Sequence, residues 1–390
     1  MSLTQVVVSH TTLRSEREAG AFLAQEVRAK LGGAAPDVLI LFASPAFDYA
    51  ALLQALDAGC APRIMVGCSS AGEFSGCSDS NASASVMAIH GQDMRFNAAV
   101  GRDLRADPLH AVAQIMPVFT GALHTDFPYR CALVLTDALA GYTDEMIHEM
   151  TVRTGGTYQL FGGGAADDAR FQQTHVFCGT EVHADAVVVL EMLSKRPVGL
   201  GVRHGWEPSG PPLRVTEADG NRVISLNAID AGDVFQAHAE ATGQVFQRDD
   251  PLPFFLHNVL GIDTGDGYKL RVPLSLGEDG SVLCAAAVPE GATVRMMVAS
   301  VASACQAASE ASHAAMAALN GAPLAGSLLF DCAATRLRLG RAFGDELKAV
   351  AERLGSSNFA GCNTYGQIAR AEGQFSGFHN CTAVVCVIPA

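Results

Sequence analysis

Gly67-Cys68-Ser69-Ser70-Ala71-Gly72-Glu73-Phe74 is the stretch that decides the fold, because its pattern of glycines and small residues recurs twice. The second copy is Phe161-Gly162-Gly163-Gly164-Ala165-Ala166-Asp167-Asp168, and the third is Gly361-Cys362-Asn363-Thr364-Tyr365-Gly366-Gln367-Ile368. A strand that turns sharply at its end favours glycine, which tolerates positive φ and allows a ligand close to the backbone. These three bends indicate a repeated unit, although simple turn chemistry accounts equally well for any one copy.

Each bend follows the same succession of predicted elements. An apolar run comes first, at residues 38–42, 132–135 and 327–330, and a helical pattern and a short apolar strand follow it. Such runs beside amphipathic helices are typical of buried strands in βαβ units. The sequence therefore predicts an α/β protein of two related halves, built from repeated strand-helix-strand units with glycine-rich loops at the strand ends. Loops at the carboxyl ends of strands are where open α/β sheets bind ligands.

The best domain boundary is residues 205–212, where six of eight positions hold glycine, proline or serine. At 390 residues the chain is long enough for two domains, and we predict them at residues 1–212 and 213–390. Helical patterns are expected at residues 15–31 and 299–319, and β-like runs at residues 186–192, 254–260 and 382–388.

Composition excludes several classes of protein. A hydrophobic fraction of 49% with 17% charged residues indicates a globular chain, and the net charge of −14 argues against nucleic-acid binding. The amino terminus lacks a basic segment and no apolar run reaches 18 residues, which predicts a cytoplasmic protein without a membrane partner. The 11 cysteines include no Cys-x-x-Cys pair and are expected to be buried small hydrophobes.

Catalytic motifs are incomplete, so we expect binding without enzymatic activity. A hydrolase using Cys68 or Ser69 is the weakest alternative, because the nucleophile-elbow pattern lacks its second glycine. Neither dinucleotide nor P-loop patterns are completed at Gly162-Gly163-Gly164. Two Glu-x-x-His pairs, Glu145/His148 and Glu310/His313, lack the further glutamate helices of a di-iron bundle.

Histidine is the remaining chemical asset, because a neutral imidazole is the usual axial ligand of haem iron. The axial candidates, in order, are His257, His204, His183 and His379. A satisfied structural histidine is the more common role for each. The covalent attachment motif Cys-x-x-Cys-His does not occur, so a haem would be haem b, held without covalent bonds.

Several of these stretches together resemble one family. The first half is similar to the amino-terminal FIST domain through residues 41–45, 67–73, 161–168, 204–208 and 215–216. The second half is similar to the carboxyl-terminal FIST domain through residues 330–332, 339–340, 361–369 and 379–382. The resemblance covers nearly the whole chain. It departs at Gln367, where the family usually has glutamate, and at Cys381, where glutamine is usual.

The resemblance implies a bacterial intracellular sensor of a small ligand that signals to a sensor histidine kinase or a cyclic-di-GMP enzyme. Residues 251–261, Pro-Leu-Pro-Phe-Phe-Leu-His-Asn-Val-Leu-Gly, further resemble the nitric-oxide-sensing haem subgroup NosP. The predicted function is therefore a haem-based nitric oxide sensor. The predicted ligand-binding residues are Gly67, Cys68, Ser69, Ser70, Gly72, Glu73, Gly162, Gly163, Gly164, Asp167, Asp168, Trp206, Tyr365, Gly366, Gln367 and Asn380. The alternative is a haem-free receptor for a small polar metabolite such as an amino acid, with Glu73, Asp167, Asp168 and Asn380 as polar contacts.

Overall fold

The computed structural model describes residues 4–76, 78–370 and 376–390. Its first strand-helix repeat, unit 1, spans residues 4–91. The side chains of Ser15 and Asp48 cap its two helices by accepting hydrogen bonds from the backbone N–H groups of Glu18 and Ala51. The elements of unit 1 are β1 (Thr4–Thr11), α1 (Glu16–Lys30), β2 (Val38–Ala43), α2 (Tyr49–Cys60), β3 (Ile64–Ser69), β4 (Glu73–Ser75), β5 (Ser78–Ser80) and β6 (Ala84–Gly91).

Unit 2 spans residues 94–194 and repeats this order of elements. Asp107 caps its first helix, and Pro108 occupies the first helical position, where no backbone N–H is needed. The elements of unit 2 are β7 (Met94–Arg102), α3 (Pro108–Ile115), β8 (Tyr129–Asp137), α4 (Thr143–Arg153), β9 (Gln159–Ala165), β10 (Val176–Cys178), β11 (Glu181–His183) and β12 (Ala186–Ser194). Short 3-10 turns lie at Met116–Val118, Gly121–Leu123 and Ala138–Ala140.

A third unit carries a separate β-rich segment, the insert (residues 204–300), between its first strand and its first helix. The insert contains β14 (Glu207–Pro208), β15 (Leu213–Asp219), β16 (Arg222–Leu226), β17 (Ile229–Asp230), α5 (Ala231–Thr242), α6 (Leu252–Phe255), β18 (Val259–Asp263), β19 (Tyr268–Arg271), β20 (Pro273–Leu276), β21 (Val282–Cys284) and β22 (Thr293–Val298). Because β14 pairs with β22, the chain enters and leaves the insert side by side.

Unit 3 comprises residues 199–203 and 301–389. A capping box formed by Ser300 and Ser303 begins its long helix. Its elements are β13 (Gly199–Arg203), α7 (Val301–Ala318), β23 (Leu324–Cys332), α8 (Ala333–Leu339), a 3-10 turn (Gly340–Ala342), α9 (Phe343–Leu354), β24 (Phe359–Thr364), β25 (Gln367–Arg370), β26 (Ser376–His379) and β27 (Ala383–Pro389).

The three units exchange hairpins in a closed cycle. The strand orders are β1-β6-β2-β3-β10-β11, β7-β12-β8-β9-β25-β26 and β13-β27-β23-β24-β4-β5. Each sheet thus holds four strands of one unit and the hairpin that follows the bend of another unit. The parallel strand pairs are β2 with β3, β8 with β9, and β23 with β24. All three pairs have the same register, with Leu41 opposite Gly67, Val134 opposite Gly162 and Leu329 opposite Gly361. None of these three sheets is therefore complete without a second unit, whereas β14 to β22 of the insert form a sheet of their own.

One core lies between the inner faces of the three sheets. Phe42 and Phe161 both contact Phe330, with ring centroids 5.5 and 6.3 Å apart. The outer face of each sheet is covered by helices of its own unit, α1 with α2, α3 with α4, and α7 with α9. Burial on both faces explains why the central strands consist of continuous apolar runs.

The mixed α/β class and the repeated strand-helix-strand unit are confirmed, and eight of the ten described cysteines are buried. The expected β run at residues 254–260 is wrong in its first half, where α6 precedes β18. Pro251 and Pro253 suit a helical first turn, and Phe254 and Phe255 pack into an aromatic cluster with Phe235. The predicted boundary between residues 212 and 213 falls inside the insert. Among the described residues, no helix has the length and apolar character to cross a bilayer.

Candidate functional site

Backbone hydrogen bonds join the three bends to one another. Their N···O distances are 2.9–3.0 Å, and every pair of bends is linked directly. The bonds run from Ala166 N to Ser69 O, Ala71 N to Asn363 O, Asn363 N to Gly72 O, Gly164 N to Gly366 O, and Tyr365 N to Gly164 O. The predicted repeat therefore brings its three bends to one place at the ends of three sheets.

The glycine common to the bends lies inside a strand, not in the loop after it. A Cβ atom on Gly67, Gly162 or Gly361 would lie 2.1, 2.0 or 1.9 Å from a carbonyl oxygen of the neighbouring strand. Real Cβ atoms do not approach oxygen so closely, so only glycine allows the strand to bend over its neighbour. We expected this glycine at the end of the strand, but each strand continues for two or three residues beyond it. Glycine is required there because the backbone of the neighbouring strand lies so close.

Glu73 of the first bend is fully buried and bound internally. Ser70 Oγ donates to one carboxylate oxygen, and Ser83 donates to the other from its hydroxyl at 2.6 Å and its backbone N–H at 3.3 Å. Burial raises the pKa of Glu73 to about 7 despite these hydrogen bonds. The carboxyl group thus holds the bend to the start of β6.

Gln367 does the same for the third bend. Its Oε1 accepts a hydrogen bond from Thr382 N at 3.2 Å, and its Nε2 donates to Thr364 Oγ1 at 2.9 Å. Thr382 precedes β27 as Ser83 precedes β6. The amide of Gln367 thus keeps the contacts to the backbone N–H and to the hydroxyl three residues earlier, whereas the Thr382 hydroxyl donates to Asn380 O instead.

Asp167 organises the loop that follows the second bend. Its carboxylate accepts hydrogen bonds from Phe171 N at 2.9 Å, Gln172 N at 2.7 Å, Gln173 N at 2.9 Å and the hydroxyl of Tyr365 at 2.5 Å. Four donors leave this side chain, which is 2% exposed, little capacity for a ligand. Asp167 fixes the loop against the third bend.

Backbone strain is concentrated in the same loop. Asp168, Ala169 and Phe171 adopt φ values of 56°, 60° and 53°, a left-handed conformation uncommon outside glycine. The Phe171 ring stacks on Tyr365 with centroids 4.6 Å apart. Strained residues held by their surroundings cluster at ligand sites, so this loop marks a candidate site.

An apolar cavity of about 100 Å³ lies beside the loop, between the bends and the insert. The insert contributes one wall with Leu252, Leu256 and Leu274, and α8 of unit 3 contributes another. Polar groups at its edge come from Thr364, Tyr365 and Asn380. The remaining lining residues are Ala138, Leu139, Phe171, Val272, Ala285, Cys332, Ala333, Ala334, Leu337 and Gly366.

A wider polar cleft of about 510 Å³ adjoins this cavity and shares Ala333 and Leu337 with it. Its charged and amide-bearing lining residues are Asp79, Asn81, Asp168, Arg336 and Arg341. Burial raises the pKa of Asp168, which accepts a hydrogen bond from Ser44 Oγ at 3.1 Å. The cleft thus presents the guanidinium groups of two arginines and the carboxyl groups of two aspartates next to an apolar cavity.

Arg336 is the residue at this site that the sequence analysis missed. Its guanidinium donates to Asn363 of the third bend at 3.2 Å and to Asn81 at 2.9 Å, and it lies 3.2 Å from Asp79. A Cβ on Gly72 would lie 2.6 Å from its Cζ. The position of Arg336, just after the third apolar run, was a usable signal, because helices that follow such strands begin at the ligand-binding edge.

The predicted ligand residues divide into two groups. Asp168, Tyr365, Gly366 and Asn380 line the cavity or the cleft. The others lie in the bent strands or in internal contacts, and they are Gly67, Cys68, Ser69, Ser70, Gly72, Glu73, Gly162, Gly163, Gly164, Asp167, Trp206 and Gln367. Ser69 Oγ, for example, accepts a hydrogen bond from His175 N at 2.9 Å, and the buried thiol of Cys68 contacts Cys362.

Comparison with protein families identifies the chain. The FIST N domain matches residues 37–229, and the FIST C domain matches residues 231–370. The chain belongs to the FIST family. FIST domains sense small ligands in signal-transduction proteins, so the family match supports the predicted class of function. No curated protein sequence matches the chain significantly.

Solved structures show only distant likeness to this FIST chain. A cyanuric acid hydrolase from A. caulinodans is 10% identical, with 99% of each chain covered and a TM-score of 0.35. PurLQS from Thermotoga maritima is 12% identical, with coverage of 98% of this chain and 72% of the other and a TM-score of 0.23. At these scores the likeness establishes neither a shared fold nor a shared activity.

The four histidines of the predicted haem site lie apart in the FIST structure. His257 is exposed after α6, and His183 lies on the outer strand β11, 3.4 Å from Glu181. His204 contacts Tyr268 O through Nε2 at 3.0 Å and accepts Trp206 N at 3.3 Å through Nδ1. His379 is buried, which lowers its pKa to about 3.

These residues do not fit a haem in the described structure. None of the four histidines lines the apolar cavity, and about 100 Å³ is well below the roughly 300–1,000 Å³ of pockets for drug-sized ligands. The described residues contain no group of three or more His, Cys, Asp or Glu side chains for a bare metal ion, but haem iron needs only one or two axial ligands. Haem binding therefore stays a prediction that this geometry does not favour.

Proposed function

We propose that this FIST chain is a receptor for a small amphipathic metabolite of the amino acid class, bound where the three bends meet the insert. The observation that supports the proposal is the shared wall of the apolar cavity and the polar cleft at Ala333 and Leu337. One molecule can occupy both spaces only if it has an apolar end and a charged end.

Cavity size limits the apolar end of the ligand. A dry cavity of roughly 150 Å³ holds a benzene molecule, so about 100 Å³ suits a branched group of roughly three or four carbons. Leu252, Leu256 and Leu274 would surround that group. Aliphatic side chains such as those of valine and leucine match this space better than an aromatic ring does.

Charge in the cleft limits the other end. The guanidinium of Arg336 is bonded to Asn81 and Asn363 and paired with Asp79, and because it offers several donors in one plane, it suits a ligand carboxylate that takes the place of Asp79. Asp168 suits an ammonium group, whose positive charge would lower the raised pKa of that carboxyl. A zwitterion with both groups on one carbon satisfies both residues.

Binding would couple the insert to the units. Leu256 and Leu274 belong to the insert, whereas Arg336 and Asp168 belong to units 3 and 2, so one ligand would contact three parts of the molecule. A ligand that binds one relative arrangement of these parts more tightly than another shifts the population toward that arrangement. We propose that the chain is cytoplasmic, that a sensor histidine kinase or a cyclic-di-GMP enzyme responds to this shift, and that the chain itself catalyses no reaction.

Calorimetric titration of the purified chain tests the proposal with L-leucine, L-valine, isovalerate and isoamylamine. We expect both amino acids to bind more tightly than the two compounds that carry one charge. Replacing Arg336 with Gln should weaken binding by about 10–100-fold, the usual loss for a charge-assisted hydrogen bond. Arg353→Gln, on the distant helix α9, is the matched control, and equal affinities for both variants would contradict the proposal. Thermal melting without ligand shows whether each variant is folded.

An absorbance spectrum of the same protein tests the haem alternative. A Soret band after reconstitution with haem b, shifted by nitric oxide and lost in His257→Ala, would favour the haem-based sensor over the metabolite receptor. We expect no such band, because none of the four candidate histidines lines the apolar cavity.

A further inference from the structure

Cys332 and Cys381 lie side by side in the wall between the apolar cavity and the insert. In the paired strands β23 and β27, Phe330 is opposite Val384, and the same register places Cys332 opposite the residue next to Cys381. The two residues pack in one hydrophobic cluster, and each is 4% exposed. A disulfide requires Cβ atoms about 3.5–4.5 Å apart, and the packing of Cys381, in the bend before β27, with Cys332 in one cluster brings the two side chains together.

The two thiols differ in reactivity and access. Cys332 belongs to the lining of the apolar cavity. Interactions with the Cys381 thiol and with the backbone at Cys381 and Ala334 lower the pKa of Cys332 to about 7 against the effect of burial. The same contact raises the pKa of Cys381. Cys332 is therefore the more acidic thiol of the pair, and the thiolate is the nucleophile in cysteine chemistry.

We propose that Cys332 and Cys381 are an oxidation site, at which a small hydroperoxide that enters the apolar cavity converts the two thiols into a disulfide. The Cys332 thiolate attacks one peroxide oxygen, the O–O bond breaks, and the departing oxygen takes up a proton to leave as an alcohol or water. The Cys332 sulfenic acid then reacts with the Cys381 thiol, which forms the S–S bond and releases water. Two thiols lose two electrons, and the peroxide gains them.

A second cysteine pair supplies an internal control. Cys68 and Cys362 are also in mutual contact, and both are fully buried. Their side chains belong to the central core between the sheets and line neither the cavity nor the cleft. Burial raises the pKa of Cys362 well above its usual value. Proximity alone would allow both pairs to oxidise, whereas access and a thiolate favour only Cys332 and Cys381.

Oxidation would act on the contact between unit 3 and the insert. Cys332 and Cys381 pack in one cluster with Trp206, Val272 and Met297 of the insert. The backbone at Cys381 has φ of 51°, so a new bond there would act on a strained residue. This proposal goes beyond metabolite binding and does not depend on it, because a peroxide needs only entry to the cavity.

The test uses the intact chain, reduced, treated with hydrogen peroxide or tert-butyl hydroperoxide at neutral pH, blocked with an alkylating reagent and digested for mass spectrometry. We expect peptides joined between Cys332 and Cys381, and at least a tenfold lower yield of peptides joined between Cys68 and Cys362. The absence of the first link would overturn the proposal. Equal yields of both links would overturn it too, because they would indicate oxidation of unfolded chains.

Single substitutions test the order of the steps. In Cys381→Ser the sulfenic acid at Cys332 should persist and react with a dimedone probe, whereas Cys332→Ser should remove both the probe signal and the disulfide. Labelling of Cys381 in the Cys332→Ser protein would contradict the assignment of the nucleophile. Cys386→Ser, which changes a buried cysteine of the central core, should leave the Cys332–Cys381 link unchanged. The link in the unaltered chain remains decisive if a variant fails to fold.

Discussion

Glu73 and Gln367 perform one structural task with different chemistry. Both bind the backbone N–H that begins the last strand of their unit and the hydroxyl three residues before them, on Ser70 or Thr364. A neutral amide supplies a donor and an acceptor, whereas a carboxylate supplies acceptors only. Burying the charged carboxylate costs much more hydration free energy than burying the neutral amide. The difference should therefore appear as a dependence of stability on pH.

Glu73→Gln should remove a pH-dependent loss of stability. The pKa of Glu73 is about 7 when folded and near 4.5 when unfolded, so between these values the folded chain binds more protons. The free energy of unfolding of the wild-type chain should therefore fall as pH rises from about 4.5 to 7, by roughly 3 kcal/mol at most. The variant should lack this fall and be more stable at pH 8, as measured by urea unfolding at several pH values.

Glu217→Gln is the control for this prediction, because residue 217 is exposed on β15. It should leave the pH dependence of unfolding unchanged. A Glu73→Gln protein that is less stable than the wild type at every pH would show that the two serines need the carboxylate and not the amide.

At the scale of elements, the sequence predicted what depends on local periodicity. Apolar runs located β12 and β27, and helical spacing located α1 within one residue at each end. The exchanged hairpins were not predictable in this way, because β4 and β10 have three residues each and carry no readable period. Arg336 was missed for a related reason: its partner Asn81 lies 255 positions earlier in the chain. The bends themselves were predicted because glycine is required there by backbone contact.

Gly361→Ala should strongly destabilise the chain. The added Cβ would lie 1.9 Å from Leu329 O and 2.5 Å from the Phe74 ring, so strand β24 would have to separate from β23. We expect a loss of at least about 4 kcal/mol, at the upper end of single substitutions, or failure to fold. Gly344→Ala is the matched control, since that glycine lies in α9 with open space around it and should gain about 0.5–1 kcal/mol. Urea unfolding compares them, and similar stabilities would refute the steric argument.

At the scale of the whole molecule, the hairpin exchange makes the three units mutually dependent, whereas the insert exchanges no strand with them and is held by side-chain contacts. One attachment is Asp144 of unit 2, which accepts hydrogen bonds from Lys269 at 2.8 Å and Arg271 at 2.9 Å. Although burial opposes it, Arg271 and Lys269 lower the pKa of Asp144. The stability from this ion pair is therefore present above the unfolded pKa of Asp144 and is lost as pH falls through the lower folded value.

Asp144→Asn should loosen the insert from the units at pH 7. The Arg271 side chain is 3% exposed and would lose the carboxylate with which it pairs, while Asp144, at 31%, is partly screened by water. We expect a loss of about 2 kcal/mol, below the 3–5 kcal/mol typical of fully buried pairs.

Trp206, the single tryptophan, lies at the entrance to the insert and packs against unit 3, so its fluorescence reports on the contact between the insert and that unit. In urea, fluorescence and circular dichroism should change together in the wild type, and fluorescence should change first in the variant. Asp345→Asn, which removes an exposed pair with Lys348, should keep the two transitions together. If both signals of Asp144→Asn shifted by the same amount, the insert would unfold with the units and this account of its attachment would fail.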